Sequence, residues 1–252
     1  MNKLPQITLA FWVMKICATT LGETAGDLLS MTLDVGYALS SLILISLFLV
    51  TLFAQLAARR YNPWLYWLVI LSTSTAGTTM SDFMDRTLGL GYASGSAILV
   101  SILIVIFAAW RLSGTSLSVD NIRSFKGELF YWVAILFSNT LGTALGDFLA
   151  DDSGLGFAGG ALLIGSIIAV IAVLHYTTRL SSVLLFWLAF VLTRPFGATL
   201  GDVLTKSHEK GGLDLGTVGS SAVLAGVLLV LVAIATWRQG RQAPALAVAS
   251  NG

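Results

Sequence analysis

With one cysteine, Cys17, the chain can form no internal disulfide, and with only His175 and His208 it has no set of soft metal ligands. Charge is scarce as well. Asp, Glu, Lys and Arg make up 11% of the residues, where a soluble domain carries about 25%. A net charge of +1 points to no nucleic-acid partner. No P-loop or other phosphate-cradling motif occurs, so direct use of a nucleoside triphosphate is not expected. A cleavable signal peptide is not expected either, because the N-terminal apolar segment after Lys3 carries the first copy of the motif described below.

What the chain has is apolar length. It is 56% hydrophobic, with mean hydropathy +0.86. Runs such as Ala38 to Ala58, Ser94 to Trp110, Leu162 to Tyr176 and Val218 to Trp237 are long enough for roughly 30 Å of hydrocarbon. These features predict an integral membrane protein.

Within those segments a pattern recurs four times. Trp12, Trp67, Trp132 and Trp187 are each followed after ten residues by Gly22, Gly77, Gly142 and Gly197, and after fifteen by Asp27, Asp82, Asp147 and Asp202. The chain is therefore a fourfold tandem repeat. Each copy reads as a helical hairpin: a first helix carrying the motif, a tip ending at Gly36, Gly91, Gly156 or Gly216, and an apolar second helix. The repeats span about 8–58, 63–111, 128–177 and 183–237, in one transmembrane domain over 1–237 with a short cytoplasmic tail at 238–252. The predicted fold is all-α: eight transmembrane helices as four parallel tandem hairpins, pseudo-symmetric about the membrane normal. The positive-inside rule orients them. Lys3, Arg59, Arg60, Arg111, Arg123, Lys126, Arg179, Arg238 and Arg241 lie between hairpins or at the termini, whereas the tips hold Arg86, Lys206 and Lys210 among acids. Both termini and the Trp ends are thus expected in the cytoplasm.

Fifteen helical residues rise about 22 Å, so a Trp anchored at the cytoplasmic interface places its Asp in the outer part of the membrane. Gly22 and Gly26, Gly77 and Ser81, Gly142 and Gly146, Gly197 and Gly201 are small-xxx-small pairs that let helices approach closely. A second stripe is polar: Thr20, Glu23, Thr24, Asp27; Thr75, Thr78, Thr79, Asp82; Thr140, Thr143, Asp147; and Thr199, Asp202. Its spacing of three and four residues is one helical face. Carboxylate and hydroxyl oxygens suit hard cations, so Glu23, Asp27, Asp82, Asp147 and Asp202 are the candidate metal ligands and the threonines candidate secondary ligands. The bland alternative is that each Asp caps a following helix or bonds a neighbouring Thr. Arg194 and Pro195 occur only in the fourth repeat. Arg194 is expected to pair with a carboxylate such as Glu23, and Pro195 to free carbonyls as a hinge.

The Trp, the small-residue pair and the Gly-Asp or Ser-Asp ending resemble a bacterial family of uncharacterised membrane-anchored proteins. That family is built of four tandem two-span repeats, each with a tryptophan. The resemblance covers about Trp12 to Trp237 and implies a multi-pass bacterial inner-membrane protein; it implies no activity.

The residues point to a gradient-driven transporter of a divalent metal cation, manganese first and magnesium next, with export favoured. No cofactor is expected; the metal would be substrate. A proton-coupled carrier of an organic cation or other small solute, with the same acids as counter-charges, stays open. So does a non-transporting scaffold or accessory subunit. Expected partners are the cation or solute and the lipid bilayer; a homo-oligomer is compatible with the sequence. An intramembrane enzyme fits poorly, because four equivalent acids are unlike a dyad sharing one proton.

Overall fold

The computed structural model describes the backbone of residues 3–249 apart from 120, 121 and 123, and side chains as far as 239. Arg123 and the side chain of Arg241, both counted above for orientation, lie outside the described residues.

Eight long helices make up the described chain, with no strand among the described residues. They are α1 (Leu9–Asp27), α2 (Tyr37–Ala57), α3 (Pro63–Asp82), α4 (Tyr92–Leu112), α5 (Phe125–Asp147), α6 (Gly156–Thr177), α7 (Ser182–Thr205) and α8 (Thr217–Ala249). The α8 helix continues through much of the segment read as a tail. Each motif-bearing helix starts where a polar side chain can bond a free N–H of the first turn: Thr8 accepts from Phe11, Asn62 from Trp64 and Leu65, Ser124 from Gly127 and Ser181 from Leu184. Single π-helical turns follow the first three aspartates at Leu28–Thr32, Phe83–Thr87 and Phe148–Asp152. The inserted residues of the fourth tip hold a 3₁₀ turn instead, His208–Lys210. All four tip glycines have positive φ, between 66° and 79°, a region that disfavours other residues.

Among the described residues, six helices are long and apolar enough to cross a membrane: α2, α4, α5 with its π turn, α6, α7 and α8. The other two, α1 and α3, turn polar towards their C-termini, with Thr19, Thr20, Glu23, Thr24 and Asp27 buried in one and Ser72 to Thr75, Thr78, Thr79 and Asp82 in the other.

The packing order corrects the hairpin expectation. α1, α3, α5 and α7 form a closed ring in which each touches the next and α7 touches α1. The second helices lie outside, but each packs chiefly on the first helix of the following repeat: α2 on α3, α4 on α5, α6 on α7, and α8 on α1. Connection length accounts for two of these four pairings. Only five residues join α2 to α3 and four join α6 to α7, which holds antiparallel neighbours together. The longer tip, widened by its π turn, steps across to the neighbour. Less than a third of the most apolar stretch of each outer helix is buried (28%, 28%, 28% and 22%), against 67% for α5, so the outer helices carry the exposed apolar face.

The tryptophans also differ from expectation. Trp67, Trp132 and Trp187 are buried and only Trp12 is partly exposed. They pack in an aromatic cluster with Tyr66, Tyr131, Phe11, Phe190 and Trp110 rather than in lipid headgroups. Residues of the loop between α4 and α5 pack on the same cluster. Val119 and Ile122 of that loop are buried in the same core, and the Leu117 carbonyl accepts the Trp187 indole N–H at 3.0 Å.

Candidate ion site on the axis of the helix ring

The ring forms because its helices touch through glycine. A Cβ on Gly22 would meet Ser74, one on Gly26 Thr78, one on Gly142 Arg194, one on Gly197 Thr19 and one on Gly201 Glu23. At Gly77 it would lie 2.9 Å from the backbone of Asn139 and Thr140. The small pair is thus the contact face, each on the next helix round the ring.

That contact turns a row spaced every fourth residue towards the axis. It reads Phe11, Lys15, Thr19, Glu23, Asp27 and Met31 on the first repeat. The same register gives Tyr66, Ile70, Ser74, Thr78, Asp82 and Arg86, then Tyr131, Ile135, Asn139, Thr143, Asp147 and Asp151, then Phe186, Phe190, Arg194, Ala198, Asp202 and Lys206. Contacts between neighbouring ring helices follow these levels. Tyr66 and Tyr131 share a 2.6 Å hydrogen bond, Lys15 Nζ sits 4.1 Å from the Phe190 ring centroid, and Thr19 donates to the Thr193 carbonyl at 3.2 Å. The aspartates meet at one end and the aromatic residues at the other, so the four helices run parallel.

At the centre lies Arg194, fully buried. Its Nη2 donates to Glu23 Oε2 at 2.8 Å, Thr78 Oγ1 at 2.6 Å and Thr143 Oγ1 at 2.7 Å. The Thr78 and Thr143 hydroxyls also lie 3.3 and 3.2 Å from that same Glu23 oxygen. One residue from the fourth repeat thereby engages side chains of the other three. Pro195 beside it is buried, and α7 runs through it as one helix. No break is present there.

One level further, all four aspartates are buried and all are ion-paired. Lys206 Nζ lies 2.8 Å from Asp27 and 3.1 Å from Asp202; Arg86 lies 3.0 Å from Asp82 and 3.3 Å from Asp147. Burial alone would lower the Lys206 pKa, but the carboxylates of Asp202 and Asp27 outweigh it and raise the value, so the group stays an ammonium. Asp27, Asp82 and Asp147 make no side-chain capping bond to the π turns they precede, and the N-cap positions of α2, α4 and α6 are Gly36, Gly91 and Leu155. Glu23, Asp147 and Asp202 each offer an oxygen within 4.8 Å of the other two. Oxygens bound to one hard cation at about 2.0–2.6 Å lie at most about 5 Å apart, so the three are close enough together to share one ion.

The threonine stripe divides. Thr78 and Thr143 reach Glu23. Thr20, Thr75 and Thr140 bond carbonyls one turn back on their own helices, at 2.9, 3.2 and 3.0 Å. Thr24, Thr79 and Thr199 bond backbone likewise, and Thr24 also receives the Ser221 hydroxyl of α8. The site's geometry thus follows every fourth residue, not the broader i, i+3, i+4, i+7 face. Lys206 and Arg86, four residues beyond an Asp, were legible only by aligning the copies one turn past the motif.

A vestibule of about 100 Å³ opens on this end, lined by Asp147, Asp202 and all four residues of the outermost level, Met31, Arg86, Asp151 and Lys206. The opposite end is closed by Phe11, Ile70, Ile135, Phe190 and the tyrosine pair, all buried.

The repeat family described as Repeat of Unknown Function (DUF347) matches residues 10–61, 65–116, 130–181 and 185–241. Each match begins two residues before a motif tryptophan. The chain belongs to this family. No curated protein and no solved structure matches it. The DUF347 repeat therefore corresponds to one ring helix plus the outer helix that covers the next ring helix.

Proposed function

We propose that this protein is a gradient-driven membrane carrier for a hard divalent metal cation, manganese first and magnesium next, working in export. The observation that carries the reading is the triad of Glu23, Asp147 and Asp202 oxygens, mutually within 4.8 Å on the ring axis beside a small vestibule. An all-oxygen site of this kind suits manganese or magnesium over zinc or copper. In this reading all eight helices span a bacterial inner membrane, α1 and α3 shielded by their neighbours. The termini and the aromatic end face the cytoplasm, and the acidic tips face out.

The vestibule bears on the rival carrier. Sites for organic solutes run to about 300–1,000 Å³, and about 100 Å³ suits a partly hydrated ion better. A scaffold role has no use for five buried carboxylates on one axis, since such groups are costly in a membrane. The enzyme alternative gains nothing from the histidines: His208 bonds the Gly212 carbonyl in a tip, and His175 packs edge-to-face with Tyr176 near the end of α6.

The test is flux in proteoliposomes carrying an internal Mn²⁺ or Mg²⁺ indicator. Protein-dependent flux, lost in the Asp147→Asn/Asp202→Asn double variant, is the expected result. Absence of flux for both metals under either sign of pH gradient, or full flux in the double variant, would overturn the reading.

A further inference from the structure

Lys206 and Arg86 stand at the same register position in repeats four and two, and each spans two aspartates from adjacent ring helices. Every aspartate of the ring is therefore already held by a cation that the chain itself supplies. Neither cation is locked in. Their side chains are 21% and 31% exposed, and both line the vestibule. Arg194 is different: it has no exposure and is held by Glu23, Thr78 and Thr143.

A metal ion entering by the vestibule meets Asp202 engaged by Lys206 and Asp147 engaged by Arg86. To gain the triad it takes Asp202 from Lys206 and Asp147 from Arg86, and shares Glu23 with Arg194. Charge decides the stoichiometry. Four aspartates with two monovalent side chains carry −2, and four aspartates with one divalent ion carry −2 as well. An exchange that leaves the buried charge unchanged avoids both a bare ring of four carboxylates and an excess positive charge, each costly away from water. A monovalent ion balances only one of the two departures. Both side chains also have somewhere to go. Arg86 Nη1 already donates to the Tyr37 hydroxyl at 3.2 Å, with the Tyr37 and Tyr92 rings 5.8 and 5.7 Å away. Asp151 lines the vestibule at the same level as Lys206.

We propose that Lys206 and Arg86 are tethered counter-cations, which hold the aspartate ring when no substrate is bound and are both displaced by one divalent cation. This rests on the divalent-cation reading and adds how the ring stays neutralised without its substrate. Return of the two side chains drives release, and their competition sets the affinity below that of a bare carboxylate cage.

The test is Mn²⁺ binding, by calorimetry, to the purified full chain in nanodiscs. Lys206→Met and Arg86→Met should each bind about tenfold or more tightly than wild type, with slower release, and Lys206→Arg should stay near wild type. The wild-type chain provides a readout independent of any variant: Mn²⁺ should accelerate acylation of the Lys206 amine, resolved by mass spectrometry from that of Lys210. Wild type that binds Mn²⁺ with no change in Lys206 acylation, or Met variants that assemble and bind no tighter, would overturn displacement and leave the ion site standing. No binding of Mn²⁺ or Mg²⁺ by wild type or variants would overturn the ion site and displacement together.

Discussion

Glu23 stands where the other repeats have Thr78, Thr143 and Ala198, and Arg194 where they have Thr19, Ser74 and Asn139. These two departures answer each other at 2.8 Å, both buried. Glu23 is thus the counter-charge of a buried guanidinium as well as a candidate ligand. Removing one partner of a buried pair costs about 3–5 kcal/mol, because the other charge is left uncompensated. Glu23→Gln or Arg194→Gln alone should lower unfolding stability in detergent by that order, and the double variant should recover a large part of it. Equal or additive losses would show that the pair is not coupled. The aspartates behave differently, since each shares its cation with a second one. Asn at 147 or 202 should keep the protein assembled and lower Mn²⁺ affinity most, and Asn at 27 or 82 less, because those two lie outside the triad. Equal effects at all four positions, measured by calorimetry, would sink the distinction. The acids and the Glu23–Arg194 pairing were legible from spacing and from breaks in the repeat. The two clamping cations showed only in an alignment of the copies one turn past the motif. Near a tip, a lysine or arginine counts towards orientation, and nothing local tells a headgroup contact from a carboxylate clamp.

At the scale of the helix, the small-residue pairs were legible as contacts, and the geometry gives them unequal weights. A methyl on Gly77 meets backbone atoms of α5 at 2.9 Å, which no side-chain rotation can relieve. Gly77→Ala must push α3 and α5 apart, at about 1–3 kcal/mol for overpacking. On α8, Gly219 and Gly226 have nothing within 4 Å of an added Cβ. Alanine there should be neutral or stabilising by up to about 1 kcal/mol, from helix propensity alone. Thermal unfolding of the three variants checks the contrast, and a Gly77→Ala chain as stable as wild type would remove the close-packed ring contact. The partner of each outer helix was less legible. Four near-equivalent copies allow α2 to lie on α1 or on α3 with the same apolar pattern, and only the relative length of the connections separates the two. The tryptophans misled for a related reason. Their spacing fits an interfacial belt, but three of the four are buried in the aromatic core cluster.

The whole molecule closes where the chain does not. α8 reaches α1 without a covalent link between them, through the Thr24–Ser221 and Thr32–Thr217 hydroxyl pairs and the Cys17 thiol on the Leu224 carbonyl. Closure fixes how many helices must cross. α5 and α7 are each apolar enough to span a membrane, whereas α1 and α3 are not. Yet all four share one register, with their aspartates joined in adjacent pairs, α7 to α1 by Lys206 and α3 to α5 by Arg86. Helices whose acids meet at one level and whose aromatic residues meet at another cross the same thickness, so we expect α1 and α3 to span despite their polarity, shielded by their neighbours. Topology reporters decide it. With eight spans, fusions after Arg60, Ser118 and Arg179 all read cytoplasmic, and fusions at Asp34, Asp152 and Lys210 read periplasmic. If α1 and α3 did not cross, Arg60 and Ser118 would fall on opposite sides of the membrane, because α4 would be the only span between them. Opposite signals at those two positions would therefore break the ring as a transmembrane object, and with it the placement of the aspartates on a path through the bilayer.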